Sequence, residues 1–313
     1  MKSSAFFSAV AAALTASSAS ASLFSETFDT AGSSSSFLLT QVAGSADVIT
    51  FGYDYSTKLI PEAPSTPGGA AATRGVFIQA NKPSSPATGA INGINLTAAS
   101  GGVAISFAQE IRFAFDMWLG FNGITATTEQ ALFGINTDGA GVNSRTGATQ
   151  TSADGVWYHV ATEGGYGVAS TAGNSRDVVN YIGNSVPTGG RLDHLEAPFP
   201  ALFPNSAASF GTNSIPGTPG LQWVRVEVEE SGGNVRMSMN GTQVFNVANT
   251  GPTSGSVFIG YQDPFSGSLA DPATSFAVFD NISVTAVPEP EEYAAVAASA
   301  LIGFALWRRS RRA

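Results

Sequence analysis

Residues 221–248 read LQWVRVEVEESGGNVRMSMNGTQVFNVA. Val224, Val226 and Val228 fall on one face of an extended chain, and Arg225, Glu227 and Glu229 fall on the other. That alternation belongs to a strand with one wet side. Ser231-Gly232-Gly233-Asn234 supplies a turn, after which Val235, Met237 and Met239 alternate with Arg236 and Ser238. Asn240-Gly241 suits a type I′ hairpin, whose two central residues both need positive φ, and TQVFNV returns. The expectation is a three-stranded antiparallel meander. No stripe of period 3.6 fits these positions.

Outward from the meander the same grammar repeats. Short runs of Val, Ile, Phe, Tyr and Trp alternate with Gly, Asn, Ser and Pro turns. The runs are 23–28, 47–55, 73–80, 102–108, 111–121, 129–136, 155–162, 177–183, 221–230, 235–240, 242–248, 254–262 and 276–286. So many strands suffice for two packed antiparallel sheets, an all-β jelly-roll sandwich over residues 22–286. Pro/Gly-rich pieces at 61–70, 83–93 and 198–220 interrupt them without marking a domain boundary.

The two ends differ from the body. Residues 1–21 have a basic start, a short apolar centre and the small-residue exit Ala19-Ser20-Ala21, the pattern of a secretory signal peptide. Residues 287–313 run VPEP, then acidic residues, then an apolar stretch at 293–307, then Arg308, Arg309, Arg311 and Arg312. The stretch spans roughly 22 Å as a helix, and the arginines beside it suit the cytoplasmic side. The expectation is a short transmembrane helix over 293–307.

The order of Pro288-Glu289-Pro290, apolar stretch and arginine cluster resembles the PEP-CTERM sorting signal of Gram-negative bacteria. The resemblance implies export through the inner membrane, transient contact with that membrane, processing by an exosortase-type enzyme, and residence in the envelope, at the surface or in an extracellular matrix. Separately, the meander, the run 254–267 and the strand FAVFDNISV resemble the concanavalin A-like lectin/glucanase jelly roll and its laminin G-like relatives. This second resemblance implies that the first and last strands, 23–29 and 276–284, are neighbours in one sheet. The class holds carbohydrate-binding modules, adhesion modules and glycan-cleaving enzymes, so fold alone does not choose among them.

Composition narrows the choice. The chain has 313 residues, no cysteine, two histidines and a formal charge of −9. Thiolate chemistry and Cys-ligated metals are excluded, and an acidic chain does not suit a nucleic-acid partner. Between residues 22 and 287 the net charge is −11, which favours a neutral polysaccharide over an acidic one.

Candidate chemistry is sparse. Glu227 and Glu229 share a strand face, as in the Glu-x-Asp-x-x-Glu strand of glucanases of this fold, but the middle acid is missing. Asp116 is a second carboxylate, read mainly as a surface ion-pair partner. His159 lies in WYHV, and His194 lies between acids in RLDHLE. Asp280 and Asn281 interrupt an apolar strand. In a regular strand Asp280 shares a face with Phe276, Val278, Ile282 and Val284; the alternative is a β-bulge. With Asp263 and Asp29 they form an oxygen-rich set suited to calcium, the one cofactor considered. Asp138 is read as an Asx turn. Aromatics for sugar stacking are Trp118, Trp157 and Tyr261, with Tyr158, Tyr166 and Trp223 also available.

The leading expectation is therefore an exported, non-enzymatic glycan-binding sandwich. The alternatives are a glycoside hydrolase or polysaccharide lyase of the same fold, needing a carboxylate pair or a His/Tyr/Arg cluster in a groove, and a purely structural surface or matrix protein.

Overall fold

A computed structural model describes residues 21–42, 48–67, 73–80, 90–97, 103–120, 129–146, 149–151, 153–161, 177–204, 208–209, 212–213, 215–264, 273–288, 298, 301–305 and 307–311. In chain order the strands are β1 (Ser22–Glu26), β2 (Phe37–Val42), β3 (Val48–Asp54), β4 (Arg74–Gln79), β5 (Ala90–Leu96), β6 (Ile111–Leu119), β7 (Gln130–Thr137), β8 (Ser144–Thr146), β9 (Thr149–Thr151), β10 (Val156–Ala161), β11 (Val178–Ile182), β12 (Arg191–Leu192), β13 (Ala208–Ser209), β14 (Thr212–Asn213), β15 (Trp223–Ser231), β16 (Asn234–Met239), β17 (Thr242–Ala248), β18 (Ser256–Asp263) and β19 (Ala277–Ala286). Sheet A runs β17-β16-β15-β6-β19-β4-β3, with β1 also paired to β19. Sheet B runs β12-β11-β10-β7-β18-β5-β2. The pairs β8-β9 and β13-β14 stand apart as small hairpins. The result is a two-sheet antiparallel jelly-roll sandwich.

The meander over 221–248 forms with Val226 opposite Met239 and Met237 opposite Phe245. Its turn residues Gly232, Gly233, Asn240 and Gly241 all take positive φ. The first and last strands are neighbours, with Phe24 opposite Val284 and Glu26 opposite Ile282.

Between the sheets lies a single large core. Phe115 of β6 packs against Phe133 of β7 at 5.2 Å and Phe279 of β19 at 5.7 Å, tying the two layers together. Each such aromatic removes about 150–250 Å² from water, so this seam dominates the apolar stabilisation.

Both outer faces are partly covered as well. On sheet A, the 3₁₀ turn Tyr55–Lys58 and the chain after it cover Phe77, Trp118, Leu221, Phe276 and Val278. On sheet B, Val142, Ala153 and Val186 pack over Ile91, Leu132, Trp157, Val179, Tyr181 and Phe258. Gly93 makes room for this cover, because a Cβ there would lie 2.8 Å from the Val142 methyls. Strands buried on both faces lose the wet/dry alternation. That is why β7, β10 and β18 are buried along their whole length while β15 alternates.

Several expectations are corrected. The transmembrane helix expected over 293–307 is overturned: among the described residues no helix is long and apolar enough to cross a membrane. Fifteen apolar residues reach roughly 22 Å, short of a hydrocarbon core of about 30 Å. Of the run 102–108, the described residues 103–108 form no continuous strand; they make two isolated bridges, Ala104 with Thr97 and Phe107 with Gly255. Strands β2 and β5 arise where no strand was expected.

Glu230, the last acid of the run Glu227-Val228-Glu229-Glu230, is buried on the same face as Val224, Val226 and Val228. Its Oε2 accepts from Asn136 Nδ2 on sheet B, and its Oε1 accepts from Asn249 Nδ2 at 2.7 Å. It is a polar tie between the layers rather than a solvated edge.

Candidate functional site

One group of polar side chains converges on the outer face of sheet B. Adjacent strands β10 and β11 place Trp157 opposite Tyr181 and His159 opposite Val179. Alternate residues of a strand share a face, so Trp157, His159, Val179 and Tyr181 all project outward. Trp157 and Tyr181 stack with centroids 4.0 Å apart and planes 11° apart. Trp157 Nε1 donates to the Gly183 carbonyl at 2.9 Å, fixing the indole. The Tyr181 hydroxyl and His159 Nδ1 are hydrogen-bonded at 3.0 Å.

Arg145 enters from β8, above the sheet. It is 1% exposed and hydrogen-bonds the Tyr181 side chain. Its backbone N–H donates to Gln262 Oε1 at 3.1 Å, and Gln262 Nε2 donates to Gln130 Oε1 at 2.9 Å. Burial pushes the Tyr181 phenol up from its ordinary range, against the pull of the Arg145 and Arg191 charges. Burial also lowers Arg145, with Tyr181 opposing. The array is a guanidinium, a phenol, an imidazole and two carboxamides gathered on the outer side of sheet B beneath its covering segments, none of them more than 5% exposed. Such groups bind sugar hydroxyls and carboxylates by directional hydrogen bonds.

Beside it, at the edge of the sheet, stands a second cluster. His194 Nδ1 lies 2.8 Å from Asp177 Oδ2 and 3.2 Å from Asp193 Oδ1. The His194 backbone N–H also donates to Asp177 Oδ2, at 2.7 Å. The bond to Asp177 is the main cause raising the His194 pKa, with burial opposing.

The residues singled out from the sequence fall elsewhere or into different roles. Glu229 is ion-paired to both Arg112 and Arg236 on the outer face of sheet A, and Glu227 sits beside it, partly exposed. Trp118 is buried on sheet A in an edge-to-face contact with Trp223, 5.8 Å between centroids. Trp157 lies under the Tyr181 ring, and Tyr158 and Tyr261 face the core. Tyr166 lies outside the described residues. None of Trp118, Trp157 and Tyr261 is more than 5% exposed, so none offers a free stacking face. Asp138 does form the expected turn, accepting from Ala140 N at 2.8 Å.

Asp280 lies at a bulge in β19, where Asn281 takes φ +50° and the register shifts between Asp280 and Ser283. The bulge separates the two face-sharing sets: Phe276 and Val278 belong to the outer cluster, and Ile282 and Val284 to the core. Asp280 Oδ2 accepts from the Tyr55 hydroxyl at 3.1 Å, and Oδ1 accepts from Asn281 N at 2.7 Å. Burial raises its pKa to about 8, with the Asp116 and Asp29 charges adding to the rise. Asp29 is thus brought near Asp280, as the pairing of the termini requires, whereas Asp263 lies in sheet B.

Asp116, expected as a surface ion-pair partner, is fully buried. It accepts from Ser65 N at 3.0 Å, Ser65 Oγ at 2.8 Å, Asn281 Nδ2 at 2.9 Å and Arg225 Nη1 at 3.3 Å.

Of the residues expected to form a sorting motif, Pro288 is described and Glu289, Pro290 and Arg312 are not. Arg308 and Arg309 are in a terminal helical turn, and Arg311 lies over the Trp307 ring at 4.7 Å. The signal peptide expected over residues 1–21 falls almost wholly outside the described residues.

Sequence reasoning missed Arg145, Gln130, Gln262 and Tyr181. The alternation in WYH and VNY holds part of the signal, because two runs with outward aromatic and polar residues become one surface once paired.

No family model matches the chain, and no curated protein matches it. Solved structures that it is similar to include a protein of unknown function with a galectin-like fold from Bacillus subtilis, at 10% identity and TM-score 0.43, over 86% of this chain and 97% of that one. Another is the carbohydrate-binding module CBM66 from Bacillus subtilis, at 10% identity and TM-score 0.36, over 79% and 95%. A third is LamAcat from Zobellia galactanivorans, at 9% identity and TM-score 0.39, over 85% and 97%. At these identities and TM-scores the likeness says nothing of ligand or activity in this chain.

Proposed function

We propose that the protein is a non-enzymatic glycan-binding sandwich, exported to the cell envelope or matrix, whose recognition surface is the outer face of sheet B. The observation that carries this reading is the array of Arg145, Tyr181, His159, Gln262 and Gln130 around the Trp157–Tyr181 stack. Polar groups so deeply buried are costly unless satisfied, and here they are held in a fixed pattern under the cover of sheet B, which a ligand would have to displace. The chain's net charge favours neutral polymers, but the two arginines beside Tyr181 give this one face local affinity for a uronate carboxylate.

A second reading rests on the Tyr181–His159 hydrogen bond next to Arg145. A uronate lyase needs a cation against the carboxylate and a phenol or imidazole to move the proton. Hydrolysis has less support, because Glu229 is ion-paired to two arginines.

The test is affinity electrophoresis of the purified chain against β-glucan, xylan, agarose and alginate, with parallel assays for reducing ends and for the ultraviolet absorbance of unsaturated uronates. Retardation by at least one polymer, without product and weakened about tenfold by Tyr181→Phe through loss of a hydrogen bond to a charged partner, is the expected result. Unsaturated product that disappears in Tyr181→Phe establishes the lyase reading instead. No retardation by any polymer leaves a purely structural protein.

The export part of the proposal draws on the terminal segments. Protein isolated from its native host is expected, by intact mass, to lack residues 1–21 and to end near Pro290. A mature species that retains Arg308 to Arg312 rules out exosortase-type processing but leaves export standing.

A further inference from the structure

We propose that Asp177, Asp193 and His194 form a binding site for a divalent transition-metal cation of the zinc class, at the β11–β12 edge of sheet B. Among the described residues these three offer one imidazole nitrogen and two carboxylate oxygens, all within 4.8 Å of one another.

The backbone brings them together from two sides of one hairpin. Asp177 immediately precedes β11, and its carbonyl accepts from Ala161 N at 2.7 Å, which extends the β10–β11 ladder. Asp193 and His194 immediately follow β12, whose Leu192 is opposite Val178. The turn after β12 holds Asp193 in place: its Oδ1 accepts from Leu195 N at 3.0 Å, and its own N–H donates to Glu196 Oε2 at 2.8 Å. Gly217 packs so closely on His194 that a Cβ there would lie 2.3 Å from the His194 carbonyl oxygen. The ligands are therefore pre-positioned by packing and by outer hydrogen bonds, which is what a metal site requires.

An independent observation points to a missing partner. Asp177 is 1% exposed, and its Oδ1 is buried without a hydrogen-bond partner. An unsatisfied buried carboxylate oxygen is costly, and a cation held by that carboxylate offsets the cost. The side chains of Asp193 and His194 each keep 11% exposure, so the cluster is open on one side.

The distances suit the ion. Zinc bonds nitrogen and oxygen ligands at about 2.0–2.2 Å in tetrahedral geometry, which sets neighbouring ligand atoms roughly 3.4 Å apart. The imidazole now stands 2.8 and 3.2 Å from the two carboxylates, so a small outward spread admits the cation. Three protein ligands leave a fourth position for water. The imidazole argues against an alkaline-earth ion, which prefers oxygen alone. Bound there, the cation would brace β12 and with it Arg191, which acts electrostatically on Tyr181. The proposal stands whether or not the neighbouring face binds glycan.

The experiment uses the full chain, stripped with chelator. Zinc chloride and calcium chloride are titrated by calorimetry, and cobalt chloride is followed by its visible absorption. Expected are one zinc ion per chain, a melting temperature raised by several degrees with zinc but not with calcium, and cobalt bands of a nitrogen/oxygen site. Asp177→Asn and His194→Gln are each expected to weaken zinc binding by about tenfold or more, with the fold checked by circular dichroism. If Asp177→Asn fails to fold, His194→Gln carries the test. Absence of zinc heat and of cobalt bands in the wild-type chain overturns the proposal. So does zinc binding that survives His194→Gln, or a site that takes calcium and ignores zinc.

Discussion

Replacing Asp116 with alanine is expected to cost about 3–5 kcal/mol of folding stability, the loss usual when one partner of a buried charged network is removed. The carboxylate is fully buried and gathers donors from three separate parts of the chain: Ser65, Arg225 and Asn281. Removing it strands the Arg225 guanidinium, whose remaining contacts include the Asn281 carbonyl at 3.0 Å. It also frees Ser65 and the covering segment from the outer face of sheet A. Chemical denaturation followed by circular dichroism measures the loss. Asp116→Asn, which keeps one acceptor, is expected to lose less. The double variant Asp116→Ala with Arg225→Met is expected to recover part of the loss, because the unpaired charge is gone. A loss below about 1 kcal/mol for Asp116→Ala, the range of an exposed pair, contradicts the network's role.

The second large effect is a dependence of stability on pH. Burial raises the Asp280 pKa to about 8, whereas an unfolded aspartate titrates near about 3.9. Between those values the folded chain holds a proton that the unfolded chain has released. Raising the pH therefore favours unfolding. The stabilising contribution is fully present below about pH 4 and is lost as the pH passes through about 8, with a slope of at most about 1.4 kcal/mol per pH unit. Asp280→Asn mimics the neutral acid and is expected to remove this slope, making the variant less sensitive than the wild type between pH 5 and 8. His194, also raised, titrates with the same sign in both proteins, so the difference between them isolates Asp280. Denaturant midpoints at several pH values, in the presence of chelator, measure it. Parallel curves for the two proteins would show that Asp280 is ionised in the folded state throughout.

Legibility followed exposure. The meander over 221–248 could be read because its strands have one face in water, so valine and methionine alternate with charge. Strand β5, AINGINL, lacks that signature because its outer face lies under Val142, and Gly93 is there to admit the cover. The segment 102–108 has strand-like residues, but among its described residues only Ala104 and Phe107 find bridge partners. Glu230 is one residue out of step with Glu227 and Glu229 and so turns inward to Asn136 and Asn249.

The bulge at Asp280 was foreseen as an alternative, because a carboxylate among apolar residues must find donors. Its partner Tyr55 lies 225 positions away and could not be foreseen. The site on sheet B was hidden for the same reason. Arg145, Tyr181 and Gln262 come from three distant segments, and only the strand order places them together.

Strand β19, the last of the body, does not lie at an edge of its sheet. It sits in the middle, between β6 and β4, with β1 also on it. Sheet A is therefore two separate pieces until the chain has been synthesised to about residue 286: β15 to β17 with β6 on one side, β3 with β4 on the other. The closing contacts span nearly the whole length of the chain, a high contact order that makes folding slow and late. The same topology makes the final strand a quality check: a product truncated before Ala277 would leave the facing edges of β6 and β4 unpaired, the kind of exposed template that aggregates.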